Sequence, residues 1–205
     1  VKVPQTLKAS LRPYQQRGYE WLIKNIRLGL GSLIADDMGL GKTLQVIAAL
    51  TALKEAGEFK DKKALVVVPT TLLTNWSREI EKFSPALRYC LYHGSERILP
   101  PSDTFDVLLT SYGIVRRDIE KLALMPWRFL VIDEAQAVKN HSTTLSQSLS
   151  VLKAQQVIAM SGTPVENHLM EYWPMSRGFW ALSLTLSAPL LLPLNLSVIR
   201  KSSMP

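Results

Sequence analysis

Asp36-Asp37-Met38-Gly39-Leu40-Gly41-Lys42-Thr43 decides how this chain is read. The apolar run Ser32-Leu33-Ile34-Ala35 precedes it, and the helix-like run Leu44-Gln45-Val46-Ile47-Ala48-Ala49-Leu50 follows. Strand, glycine loop, Gly-Lys-Thr and helix is the order that a phosphate-binding loop requires. Gly39 and Gly41 permit a tight turn that brings backbone N–H groups against phosphate oxygens. A helix beginning near Thr43 adds its positive end. Lys42 is placed to reach the β- and γ-phosphates, and the Thr43 hydroxyl to take a magnesium position. Asp36 departs from the general pattern, which has Gly there.

Moving outward, apolar runs alternate with helix-like stretches. Ala64-Leu65-Val66-Val67-Val68 is a continuous run ending at Pro69, as expected of a strand buried on both faces of a parallel sheet. Thr70 and Thr71 are positioned to cap a helix over Leu72 to Phe83, which carries Trp76. Further strands are expected at Leu87 to Tyr92, Asp106 to Thr110, Arg128 to Ile132 and Gln156 to Met160. Helices are expected from Pro13 through Ile26, over Ile114 to Leu122, and over Ser142 to Leu152. The alternation implies a single α/β lobe with a parallel sheet flanked by helices and function at the strands' C-terminal ends.

Each polar cluster sits at such an end. Asp133-Glu134 follows a strand about ninety residues after the glycine loop. In a nucleoside triphosphatase, Asp133 holds magnesium and Glu134 orients and deprotonates the attacking water. Ser161-Gly162-Thr163 ends the next strand; it is either a γ-phosphate sensor or a plain turn whose hydroxyls cap a helix. Gln15, upstream of the loop, has an amide able to pair with an adenine edge in both directions, yet on its own reads as a surface glutamine.

Composition sets the outer limits. The chain of 205 residues holds one well-buried domain, or a domain with a tail. A net charge of +7 favours polyanionic partners only weakly. The one cysteine, Cys90, excludes an internal disulfide framework and suits a reducing compartment; it reads as a packing residue in a strand. His93, His141 and His168 lack metal-ligand spacing. No stretch reaches the roughly 20 apolar residues of a membrane span, and the first residues show no signal-peptide pattern.

Leu-Arg-Pro-Tyr-Gln (11–15), Asp-Asp-Met-Gly-Leu-Gly-Lys-Thr-Leu-Gln (36–45), Val-Val-Pro-Thr (67–70) with Asn75-Trp76, and Tyr-His-Gly (92–94) occur in that order. Leu-Thr-Ser-Tyr (109–112), Asp-Glu-Ala-Gln (133–136) with Lys139-Asn140, and Ser-Gly-Thr-Pro-Val-Glu-Asn (161–167) follow. Together they resemble the Swi/Snf-type ATPases of helicase superfamily two over roughly residues 5 to 173, in the bacterial form, where Gln136 replaces His. That family also reads Asp at position 36.

The resemblance implies a RecA-like N-terminal lobe (1–178) of an ATPase driven by double-stranded DNA. Such motors remodel or strip DNA-bound protein; a bacterial member is expected in the cytoplasm, on the nucleoid. It assigns Gln15 to adenine and Asp37, Met38, Gly39, Leu40, Gly41, Lys42, Thr43 and Leu44 to the nucleotide. Thr43 and Asp133 go to magnesium, and Lys42, Asp133 and Glu134 to catalysis. Pro69, Thr70, Ser111 and Tyr112 match motifs lining the DNA backbone, with plain strand-end structure as the alternative. Ser161, Gly162 and Thr163 match the coupling motif. Trp76 reads as packing, because duplex-tracking motors grip phosphates.

The family's second lobe, with its charge-stabilising arginines, is absent from this sequence, so weak nucleotide binding and poor hydrolysis are expected of the chain alone. Residues 179–205 form a divergent Leu/Ser/Pro-rich tail, for which a frameshift near Phe179 is the favoured origin over a native helical tail. The competing functions are a strand-separating helicase and a nucleotide- or DNA-binding module without turnover.

Overall fold

The computed structural model describes residues 1–35, 39, 41–137, 143–162 and 180–184. Seven strands form one parallel sheet in the order β3-β4-β2-β5-β6-β1-β7. They are β1 (Gly31–Ala35), β2 (Lys63–Val68), β3 (Tyr89–Tyr92), β4 (Val107–Ser111), β5 (Trp127–Ile132), β6 (Gln156–Ser161) and β7 (Trp180–Leu184). The helices are α1 (Pro13–Arg27), α2 (Lys42–Glu55), α3 (Leu73–Phe83), α4 (Tyr112–Arg117), α5 (Ile119–Ala123) and α6 (Thr143–Val151).

Strand periodicity splits the core into two layers. Ala64, Val66 and Val68 of β2 join Val131, Ile158 and Ile34 beneath α1, α2 and α3. Leu65 and Val67 turn the other way and join Leu33, Leu130 and Ile132 beneath α4, α5 and α6. β2 is buried along its whole length, so its sequence shows no polar alternation beyond Lys63. The α1 positions Gln15, Gly18, Tyr19, Leu22, Ile23 and Ile26 form one inward stripe. α2 is enclosed on nearly every side, from Val46 to Leu50.

Three expectations are corrected. The helix expected over 114–122 is two helices broken at Asp118, whose backbone leaves helical geometry (φ −111°, ψ 22°). Its carboxylate is drawn to Arg97 and to the Tyr92 hydroxyl instead. Thr70 and Thr71 do not cap α3 with their side chains; they form a 3-10 turn that feeds into it. β3 starts at Tyr89 rather than Leu87, because Leu87 closes a turn onto Ser84 and the Arg88 N–H is taken by the Asp106 carboxylate. The sheet also extends into the segment after 178, where β7 pairs with β1 from Gly31↔Trp180 to Ala35↔Leu184. Cys90 is half-buried in β3, where burial raises its thiol pKa.

The register makes the strand ends level. Ala35 pairs with Ser161, Ile132 with Ala159, Val67 with Ile132 and Val68 with Ser111. The segments leaving β1, β6, β5, β2 and β4 therefore emerge along one edge.

Candidate nucleotide site and adjoining groove

The glycine loop leaves β1 at that edge. Gly39 (φ +84°) and Gly41 (φ +73°) occupy the left-handed region, where a side chain is strained. Gly41 is the residue before α2, and Lys42 and Thr43 are its first two residues. Lys42 is 8% exposed; Thr43 and Leu44 are half-buried. α2 thus begins earlier than the apolar run indicates, so its N-terminal end follows directly on Gly41. Asp36, Asp37, Met38 and Leu40 lie outside the described residues, as do Thr163 and Lys139-Asn140.

Gln15 reaches the same loop from α1. A Cβ built on Gly41 would lie 2.2 Å from Gln15 Nε2, so the glycine admits the amide by having no side chain. Gln15 Oε1 accepts the Arg12 N–H at 2.9 Å, fastening the start of α1. Gln15 is therefore a buried residue of α1 packed against Gly41, not a surface glutamine.

Asp133 and Glu134 leave β5, one strand away from β1 across β6. The Asp133 carboxylate accepts the Trp76 indole N–H at 2.8 Å and the Glu134 N–H at 2.8 Å. Its own carbonyl accepts the Tyr112 hydroxyl. Burial raises the Asp133 pKa, and the Glu134 charge adds to this; the two hydrogen bonds and the Lys42 charge oppose it. Glu79, one turn along α3 from Trp76, is raised for the same first reason, with Asp133 adding to it. Glu134 has φ +51°, a conformation that a non-glycine residue adopts at a cost. Ser161, fully buried at the end of β6, donates to Gln136 Oε1 at 2.9 Å, and Gln136 Nε2 donates to the Glu134 carboxylate. Ser161 is thus joined to the acid pair through Gln136.

The donor set fits magnesium. One buried carboxylate and one half-buried hydroxyl, Asp133 and Thr43, suit an ion that keeps waters and shares substrate phosphates rather than sitting in a protein cage. Among the described residues no three His, Cys, Asp or Glu side chains gather into a cage.

Beside the pair lies a groove of about 350 Å³ whose walls include Pro69, Thr70, Tyr112, Gly113, Arg116 and Ala137. Of the four residues matched to the DNA track, Pro69 and Thr70 present surface to it. Ser111 is 2% exposed, and Tyr112 lines the wall but has its hydroxyl bonded to the Asp133 carbonyl. Arg116 supplies a cation there that motif matching passes over. Trp76 is buried, as its reading as packing requires, but it also holds Asp133. The signal for that role was available: a buried indole N–H usually finds an acceptor.

Parallel strands, a glycine loop entering a helix, and an acid pair one strand removed define a RecA-like phosphate-loop lobe. The chain belongs to the SNF2-related domain family, whose model matches residues 14–177. It is 42% identical over 189 residues to YwqA of Bacillus subtilis, described as a candidate ATP-dependent helicase/translocase, covering 87% of this chain and 20% of that protein. It is 36% identical over 183 residues to the ATP-dependent DNA helicase DDM1 of Arabidopsis thaliana, covering 84% of this chain and 24% of the relative. The chain therefore spans about a fifth to a quarter of these curated relatives. Among solved structures it resembles the SWI2/SNF2 ATPase core of Sulfolobus solfataricus in complex with dsDNA. There the TM-score is 0.76 at 38% identity, over 84% of this chain and 37% of the other. No helix among the described residues is long and apolar enough to cross a membrane.

Proposed function

We propose that this chain is the ATP-binding lobe of a DNA-stimulated ATPase that moves along duplex DNA. The observation that carries the reading is the seating of Gln15 and Lys42 at one glycine loop, level with the acid pair across β6. Gln15 would read the adenine edge, and the α2 N-terminus with Lys42 would cradle the phosphates. Thr43 and Asp133 would hold magnesium, which when bound screens charge on the transferring phosphoryl group. Glu134, held by Gln136, would orient and deprotonate the attacking water. Pro69, Thr70 and Arg116 would meet a DNA phosphate in the groove, and the Ser161–Gln136–Glu134 link would carry nucleotide state along the edge.

Among the described residues, Lys42 is a cation whose charge reaches Asp133. Added arginine contacts at a transferring phosphate are worth about 10³–10⁵ in rate in related systems, so turnover by this chain alone is expected to be slow. The test is ATP hydrolysis and ATP binding with and without duplex DNA, alongside Lys42→Ala and Glu134→Gln. DNA-stimulated turnover lost in both variants supports the reading. Lys42-dependent binding without turnover reduces the chain to a nucleotide-binding module, and stimulation by single strands alone favours a strand-separating helicase.

A further inference from the structure

Two contacts between α1 and α2 mirror each other. Gln15 of α1 presses its amide nitrogen on Gly41, where α2 begins. Gln45, one turn into α2, presses its amide oxygen on Gly18, one turn further along α1; a Cβ on Gly18 would lie 1.9 Å from Gln45 Oε1. The spacings, three residues in α1 and four from Gly41 to Gln45, put each glutamine and glycine on facing sides. Each helix thus offers a glutamine to the other's glycine.

Gln45 fills the space between the helices by its shape and not by a hydrogen bond of its amide nitrogen. It is 1% exposed, and its Nε2 has no hydrogen-bond partner among the described residues. An apolar side chain of similar volume would fill the same space without a buried, unpaired donor. Its amide is enclosed, so the distance between α1 and α2 at Gly18 is fixed by its shape. Gln15 lies one turn away on the same helix, and its seat on Gly41 depends on that distance.

We propose that Gln45, through Gly18, is a positioning residue that sets Gln15 over the phosphate loop and thereby governs the choice of adenine over other bases. The proposal rests on the reading of Gln15 as the adenine contact. Gln45 itself touches no nucleotide; it acts by holding α1 in place.

The experiment is equilibrium binding of magnesium-ATP and magnesium-GTP to the full chain, with thermal unfolding of every variant as the control for folding. Gln15→Ala tests the underlying reading: if the preference for ATP survives it, the adenine assignment fails, whatever Gln45 does. With that assignment standing, Gln45→Ala and Gly18→Ala should each lower the ATP-over-GTP ratio roughly five- to tenfold, the scale of one misplaced hydrogen bond. GTP affinity, which depends on the phosphates, should stay nearly constant. The double variant Gly18→Ala/Gln45→Ala, in which the new methyl takes the vacated space, should recover most of the ratio. Gln45→Met, which keeps length without the amide, should also retain it. An unchanged ratio in folded Gln45→Ala and Gly18→Ala overturns the proposal. So does an equal loss of ATP and GTP affinity, or a double variant no better than the singles.

Discussion

Two regions of the sheet, its β3 edge and its middle strand β5, bury carboxylates and treat them in opposite ways. Near β3 and β4, Asp118 is gripped by Arg97 at 2.7 and 2.8 Å and by the Tyr92 hydroxyl at 2.5 Å. The Arg97 hydrogen bonds, with the Tyr92 hydroxyl in support, hold its pKa down to about 2 against the effect of burial. Burial also acts on Asp106, but bonds from Arg88 and Lys54 outweigh it and keep its pKa low. At the end of β5, the Asp133 carboxylate receives two uncharged donors and forms no ion pair among the described residues, and its pKa is raised, first of all by burial. The structural acids are neutralised by the protein's own cations. Among the described residues, and apart from its two uncharged donors, Asp133 has only the charge of Lys42 set against its burial, as its proposed magnesium role would require.

The largest test of this contrast separates function from stability. Asp133→Ala should lower any hydrolysis at least a hundredfold, the scale of losing one preorganised charge contact. Asp118→Ala should instead cost the fold about 1–2 kcal/mol, kept modest by solvent around the pair, while leaving nucleotide binding near wild type. Chemical denaturation and nucleotide titration of both variants check the division.

A smaller and sharper test is pH. Asp118 has a lowered folded pKa, so its contribution is complete above the ordinary carboxylate range and fades as pH falls through about 2. Asp133 has a raised one, so its unfavourable term is absent below the ordinary range and grows as pH rises through the folded value. Thermal unfolding from about pH 2 to 7 should show Asp118→Asn flattening the acid limb. Magnesium-ATP should add more stability as pH rises, because a larger share of Asp133 is then ionised. The smallest expected effect is Tyr112→Phe. It removes one hydrogen bond to the Asp133 carbonyl while the ring stays in the groove wall, costing about 1 kcal/mol by denaturant titration.

What could be read in advance follows the range of the physics involved. The glycine loop and acid pair are legible because their chemistry is local: Gly39 and Gly41 supply a backbone conformation, and Asp133-Glu134 sits directly after its strand. The parallel sheet is legible from β2, whose apolar run needs two covered faces. Contacts between distant segments are not: Trp76 meets Asp133 across 57 residues, and Asp118 breaks a good helical pattern because Arg97 and Tyr92 compete for it. The glutamine–glycine clasp was hidden for a related reason. Gly18 and Gln45 each look ordinary, and only the meeting of their helices gives them meaning. β7 was missed because its Leu/Ser run carries no strand signal apart from the β1 edge that receives it.

The position of β1 has a consequence for how the molecule is made. Its neighbours are β6 and β7, so Ser32 waits for Ile158 and Ala181 before either of its edges is covered. During synthesis the glycine loop leaves the ribosome early, while its strand gains its partners only after most of the described chain has followed. Such long-range pairing is slow and leaves a bare strand edge in the meantime. On this topology the loop proposed to hold a nucleotide is seated only once β6 and β7 have paired with β1, which would make ligand capture a natural stopwatch for completion of this sheet.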